Sequence, residues 1–239
     1  MTDMTNWYAK IPEDKNKIKR DKNYKNHLIE PNSMICAIGG TGSGKTNALV
    51  DFLSRKTEAF TEIIIFSGST TEEPLYDYIK KQIPESQFFN DIELVPELND
   101  FENNKKTEKL IVFDDFINLK QKEFAKINKY LTAGRKFGFT VFVMAQNYTS
   151  IPKVVLRNVN YFIVFKLNEA FTINHILKNY NIYGMDKERF LKAYQEATTD
   201  KFNFLLIDMK NRDTYLRHNW TKLFTLDNSK PIEKKRKKR

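Results

Sequence analysis

The run Gly39-Gly40-Thr41-Gly42-Ser43-Gly44-Lys45-Thr46 constrains the fold of this chain more than any other feature. It fits the G-x-x-x-x-G-K-[ST] pattern of a phosphate-binding loop. Glycines allow successive backbone N–H groups to turn inward toward phosphate oxygens. Lys45 is placed to bring positive charge to the β- and γ-phosphates, and Thr46 to offer a hydroxyl to Mg²⁺. Such a loop needs a strand entering it and a helix leaving it. Met34-Ile35-Cys36-Ala37-Ile38 reads as a short buried strand, and residues 47–53 read as the following helix, whose N-terminus favours bound anions. The candidate nucleotide contacts are therefore Gly40, Thr41, Gly42, Ser43, Gly44, Lys45 and Thr46.

The rest of the chain repeats this alternation. Glu62-Ile63-Ile64-Ile65-Phe66, Leu110-Ile111-Val112-Phe113, Thr140 through Ala145 and Tyr161 through Phe165 are continuous apolar runs. Runs of that kind suit parallel strands buried on both faces. Ile92-Glu93-Leu94-Val95 is a further candidate strand. Between these runs, Pro74–Ile83, Gln121–Phe137, residues 173–177 and Arg189–Ala197 have helical patterning, and Gly138 closes the second of them. Phe202 through Asp208, followed by Thr214 through Arg217, reads as a β-hairpin. The expected fold is α/β: a mostly parallel sheet between helices, with an antiparallel extension at its end.

The 239 residues divide, on this pattern, into an N-terminal arm at 1–30, a P-loop domain at 31–218 and a basic C-terminal tail at 219–239. The arm is rich in lysine and poor in apolar residues. It reads either as a loosely packed terminus or as a segment anchored on a neighbour by Trp7, Tyr8, Ile11 and Pro12. All of the last six residues, Lys234 to Arg239, are basic, so more than half of the formal net charge of +10 sits there. That tail reads as a nucleic-acid-binding arm or a nuclear import signal, ahead of a merely solubilising extension. A hydrophobic content of 41% supports a sizeable core, and no apolar run is long enough to insert in a membrane. The single cysteine, Cys36, allows no internal disulfide, which fits a reducing compartment.

Asp114 and Asp115 follow the strand Leu110–Phe113. A carboxylate at the C-terminal end of a buried strand lands beside the phosphate loop of an open α/β sheet. Asp114 is the candidate Mg²⁺ ligand, together with Thr46. A second acid can polarise the water that attacks the γ-phosphorus, a role for Asp115 that a small-molecule kinase does not need. Gln146 ends the next strand. It reads either as a γ-phosphate sensor or as a polar residue marking a strand end. Arg135 and Arg157 are the nearest candidates for an arginine finger, and spacing alone assigns neither.

The stretch Ala133-Gly134-Arg135-Lys136-Phe137-Gly138 through Gln146, then Ile151-Pro152, Leu156-Arg157-Asn158-Val159-Asn160 and Tyr161 through Lys166, resembles the FtsK–HerA superfamily of DNA-translocating ATPases. Within it, compact length and the Phe-Asp-Asp motif are most similar to the A32-like genome-packaging ATPases of large DNA viruses and virophages. The resemblance covers residues 31–217. It implies a RecA-like core working with ATP and Mg²⁺ in a homo-oligomeric ring, a hexamer or pentamer, around double-stranded DNA, with viral capsid proteins as partners. It implies an infected cell as the setting, in a cytoplasmic virus factory or in the nucleus by way of the basic tail, and the virion as a further destination. It makes Lys45, Asp115 and Gln146 catalytic in one subunit and Arg135 the finger supplied by the next, with Arg157 second. Asp114-Asp115 departs from the Asp-Glu pair common in the superfamily. Two other readings share the loop: a nucleotide or nucleoside kinase, which lacks a paired acid, and a DNA-binding virion protein with a regulatory nucleotide site.

Overall fold

The computed structural model describes residue 10 and residues 19–56, 58–69, 73–103, 107–116, 119–167, 170–180, 186–210 and 216–224. The continuous apolar runs form a parallel sheet, as their burial requires. Strands β1 (Met34–Ile38), β2 (Phe60–Ser67), β3 (Gln87–Phe89), β4 (Glu108–Asp114), β5 (Phe139–Ala145) and β6 (Tyr161–Val164) run parallel. Strands β7 (Leu205–Asp208), β8 (Leu216–His218) and β9 (Lys222–Leu223) extend the sheet antiparallel, in the order β3-β2-β4-β5-β1-β6-β7-β8-β9. This is a RecA-like P-loop architecture with an antiparallel extension.

Strand periodicity sends alternate side chains to opposite faces. Met34, Cys36 and Ile38 of β1 enter one core, and Ile35 and Ala37 enter the other. The first core is covered by α3 (Gln121–Ala133), α4 (Lys153–Asn158), α5 (Ala170–Asn179) and α6 (Lys187–Ala197). The second is covered by α1 (Lys45–Arg55) and α2 (Pro74–Gln82). Helix α1 buries Ala48, Leu49, Phe52 and Leu53, a spacing that keeps one face on the sheet.

Three expectations change. Ile92–Leu94 is a short 3-10 turn rather than a strand, because the Asp91 side chain accepts from the Glu93 N–H and Pro96 follows closely. The edge position goes instead to Gln87–Phe89 against β2. Strand β7 begins only at Leu205, since Phe202 has φ of +70° and breaks the extended run. The packing also does not stop at residues 30 and 218. His27, Ile29 and Trp220 are buried, and Trp220 stacks on Phe52 at 5.3 Å while donating to Asp51 Oδ2 at 2.6 Å. Residues 1–9, 11–18 and the basic tail at 225–239 lie outside the described residues.

Polar side chains dock the segment around residues 20–30. The Lys56 ammonium donates to Glu108 Oε1 at 2.7 Å, and Thr140 Oγ1 donates to the same oxygen at 2.6 Å. The Arg217 guanidinium donates to Asp208 Oδ2 at 2.9 Å and to the backbone carbonyls of His27 and Trp220. His27 sits between Asp21 and Ile29. Its Nδ1 accepts from the Ile29 N–H at 3.0 Å, so its Nε2 is the protonated nitrogen facing Asp21 at 3.1 Å.

Burial pushes the His27 pKa from 6.5 down to about 4, with Lys56 and Arg217 acting in the same direction and Asp21 opposing them. The folded state therefore binds this proton less tightly than the unfolded chain does. The stability that neutral His27 contributes is complete above pH 6.5 and is lost as pH falls toward 4, by up to about 3 kcal/mol. Chemical denaturation at pH 7 and pH 4.5 should show this loss, and His27→Gln should show a smaller difference between the two pH values. Equal pH dependence in both proteins would remove His27 as the cause.

Candidate active site

Strand β1 ends at Ile38, and the chain turns through Gly39–Gly44 into α1. The Gly39 N–H donates to the Ala145 carbonyl at 3.2 Å, which ties the loop to the end of β5. Gly44 has φ of +111° and precedes the first helical residue, so the N-terminus of α1 opens without a side-chain cap. A side chain at 44 would also run into Phe202. Gly40, Thr41 and Gly42 are exposed, while Ser43, Lys45 and Thr46 are half-buried. Lys45 Nζ folds back onto the loop and donates to the carbonyls of Gly39 at 2.7 Å and Gly40 at 3.0 Å. Burial lowers its pKa, and the fields of Asp114 and Asp115 oppose that shift.

Asp114 ends β4 in register with Ser67 of β2 and Met144 of β5. Its Oδ2 accepts from the Tyr76 hydroxyl at 2.6 Å. Burial raises the Asp114 pKa and Asp115 adds to the rise, while Tyr76 and Lys45 hold it down. Asp115 follows with φ of +48°, a left-handed backbone that Asp tolerates better than most residues. Gly68, just beyond β2, allows this turn. Its N–H donates to the Asp114 carbonyl, and a Cβ at 68 would lie 2.2 Å from the Asp115 carbonyl oxygen.

Gln146 is exposed immediately after β5, next to the tie between Ala145 and Gly39. The structure thus gathers Gly39–Thr46, Asp114, Asp115 and Gln146 on one edge of the sheet. Arg135 is not among them. It is exposed in the 3-10 turn Gly134–Phe137 that precedes β5, on the opposite edge. Arg157 is also exposed, in the last turn of α4 before β6 begins. Tyr76 was not a candidate in the sequence, where it reads as one aromatic among others on α2. Its contact follows from the placement of β2 beside β4, which no local pattern encodes.

The residues fit a nucleotide polyphosphate. Ser43 Oγ is buried and has no partner among the described residues, and Cβ atoms at Gly40 and Gly42 would meet nothing within 4 Å. The outer part of the loop, at Gly40 and Gly42, is therefore open to a ligand. The described residues hold no group of three or more His, Cys, Asp or Glu side chains suited to a metal. The oxygens of Thr46 and Asp114 fit a sparsely ligated Mg²⁺ that keeps much of its water.

The fold and this loop define a P-loop ATPase. A model of the family described as poxvirus A32 protein matches residues 20–211, and the chain belongs to that family. The genome packaging NTPase B204 of Sulfolobus turreted icosahedral virus 2 in complex with AMPPCP is similar in structure. It has a TM-score of 0.56 and 17% identity, and the match covers 80% of this chain and 98% of that one. Its sulfate complex matches with a TM-score of 0.51 and 19% identity over 76% of this chain and 94% of that one. EssC (ATPases 2 and 3) from Geobacillus thermodenitrificans matches with a TM-score of 0.52 and 14% identity, over 80% of this chain and 40% of that one. No curated protein sequence matches the chain.

The Tyr76 contact gives a direct test. Tyr76→Phe removes the hydroxyl donor and keeps the ring. It should lower ATP turnover about tenfold at limiting Mg²⁺, with partial recovery at high Mg²⁺, as loss of a partner that orients a ligand does. Folding stability should change by only about 1 kcal/mol. An unchanged Mg²⁺ dependence would show that the hydroxyl does not position Asp114.

Proposed function

We propose that this chain is an ATP-driven double-stranded DNA translocase that packages a viral genome into a preformed capsid as a homo-oligomeric ring. One observation carries the reading: Arg135, in the turn that precedes β5, lies at the end of the sheet opposite the phosphate loop. Strand β5 separates the two edges, and its seven residues span about 23 Å at the usual rise per residue. A long side chain cannot cover that distance within one subunit. A head-to-tail ring would set one copy's Arg135 edge against the next copy's loop. Membership of the A32 family and likeness to a viral genome packaging NTPase support the same reading.

In this mechanism the backbone N–H groups of Gly40–Thr46 and the Ser43 hydroxyl bind the phosphates. Lys45 exchanges the carbonyls of Gly39 and Gly40 for the β- and γ-phosphate oxygens. Thr46 and Asp114 would hold Mg²⁺, which would supply charge neutralisation to the phosphates. Asp115 accepts a proton from the attacking water. Gln146 orients that water by hydrogen bonding and registers the γ-phosphate. The neighbour's Arg135 stabilises charge developing on the transferred phosphoryl group, a contribution of several orders of magnitude where such fingers act. DNA would be held through its phosphates, so translocation would be largely independent of sequence. No helix among the described residues is long and apolar enough to cross a membrane. The infected cell's cytoplasmic factory is the proposed place of action.

The division of the site between copies predicts complementation. Lys45→Ala and Arg135→Ala should each reduce DNA-stimulated ATP turnover at least a hundredfold. Mixing the two inactive chains should restore activity, because about a quarter of the interfaces in a random equal mixture pair an intact loop with an intact Arg135. Particle size by light scattering should show a ring, and turnover should rise with double-stranded DNA. No recovery on mixing would exclude Arg135 as a finger in trans, and a monomer indifferent to DNA would exclude the motor.

A further inference from the structure

Phe202 is an aromatic side chain that the fold holds out at the nucleotide edge. It lies in the turn between α6 and β7, is 44% exposed and has φ of +70°, a backbone that bulky residues rarely adopt. Single exposed apolar residues are ordinary on protein surfaces. This one differs in its support and its neighbour. A Cβ built on Gly44 would lie 2.9 Å from Phe202 Cδ1 and 3.2 Å from its Cα, so the residue abuts the last position of the phosphate loop.

The turn that carries it is fastened at several points. The Asn203 N–H donates to the Asp200 carbonyl at 3.3 Å. Asn219 Nδ2 donates to Asn203 Oδ1 at 2.9 Å, and Asn219 Oδ1 accepts from the Phe204 N–H at 3.0 Å. Phe204 then anchors the turn in the core against Phe165 and Trp220. Phe202 is therefore held rigidly while its ring stays accessible. Lys201 Nζ lies 4.8 Å from the ring centroid, so the ring already holds a cation at its face.

The position matches one end of a nucleotide. The sheet runs β4-β5-β1-β6-β7, so Asp114 and the 200–204 turn flank the loop on opposite sides. With the γ-phosphate end set by Lys45 and Asp114, the base must leave the loop on the other side, over the start of α1. We infer that Phe202 is the stacking platform for the nucleotide base, a subsite that reads a flat aromatic face rather than hydrogen-bonding edges. The inference rests on the reading of Gly39–Thr46 as a nucleotide site. Stacking of this kind strengthens binding without strict base choice, because every base has a π-face.

Direct binding measurements on the full chain separate the two ideas, using ATP and inorganic tripolyphosphate as probes. Phe202→Leu keeps an apolar contact with Gly44 and removes the π-face. It should bind ATP about tenfold more weakly than the unaltered protein, with tripolyphosphate affinity unchanged within about twofold. Phe202→Tyr should bind both as the unaltered protein does. Phe202→Trp, read against the background of Trp7 and Trp220, should add fluorescence that ATP quenches and tripolyphosphate does not. Equal losses for both probes in Phe202→Leu, or none, would overturn the platform and leave the phosphate site standing. Failure of the unaltered protein to bind either probe would overturn the phosphate-site reading and the platform with it. Should Phe202→Leu not fold, the Trp variant decides: quenching by ATP alone upholds the platform, and no quenching overturns it.

Discussion

Parallel pairing of β1 with both β5 and β6 is the constraint on which the rest of the molecule depends. A parallel strand cannot return through a tight turn, so each crossover must pass over a face of the sheet. Both faces are thereby covered, and every residue of β1 is buried. The same pairing gives the sheet two unlike edges. Strand ends bring the phosphate loop, Asp114 and Gln146 to one edge, and strand starts place Arg135, Glu108 and the docked N-terminal segment at the other. Under the proposed mechanism the need for a second copy is thus a property of topology. A β-strand is rigid and extended, and no rotamer change moves Arg135 around it.

The far edge also stabilises the near one through α1. The helix starts at the loop and ends at Lys56, whose ammonium is fully buried against Glu108. Arg55 donates to the Asn26 carbonyl, and Trp220 packs on Phe52. A buried ion pair offers little net stability over good apolar packing, but loss of one partner leaves an uncompensated charge at a cost of about 3–5 kcal/mol. Networks of this type fix position more than they add stability. Here they hold the C-terminal end of the helix whose N-terminal end faces the phosphates.

This explains which parts of the molecule were legible in the sequence. Strands β1, β2, β4, β5 and β6 are continuous apolar runs because both of their faces are buried, and that signal is local. The phosphate loop is local too, since its glycines and Lys45 lie within eight consecutive residues. Residues 20–30 misled because they dock through buried charge and backbone carbonyls, so their lysine-rich composition resembles an unpacked arm. Ile92–Val95 has strand-like composition, but Asp91 and Pro96 impose a turn, and the short edge strand at Gln87–Phe89 has too few residues to show a period. The contacts of Tyr76 with Asp114 and of Phe202 with Gly44 join residues far apart in the chain. Both depend on strand order, which local patterning does not contain.

Strand order also accounts for the acidic pair. Adjacent residues on a strand point to opposite faces, so two neighbouring carboxylates would normally diverge across the sheet. The left-handed turn at Asp115 breaks that alternation at the point where the strand ends. Gly68, just beyond the neighbouring strand, leaves room for the displaced carbonyl, and Tyr76 donates to the Asp114 carboxylate. A left-handed backbone favours Asp over longer or branched residues, because its short polar side chain can hydrogen-bond locally. The Asp-Asp sequence is thus matched to its backbone. A glutamate at 115 would gain reach and lose conformational fit, so the loss of reach with Asp is linked to the turn that redirects the chain.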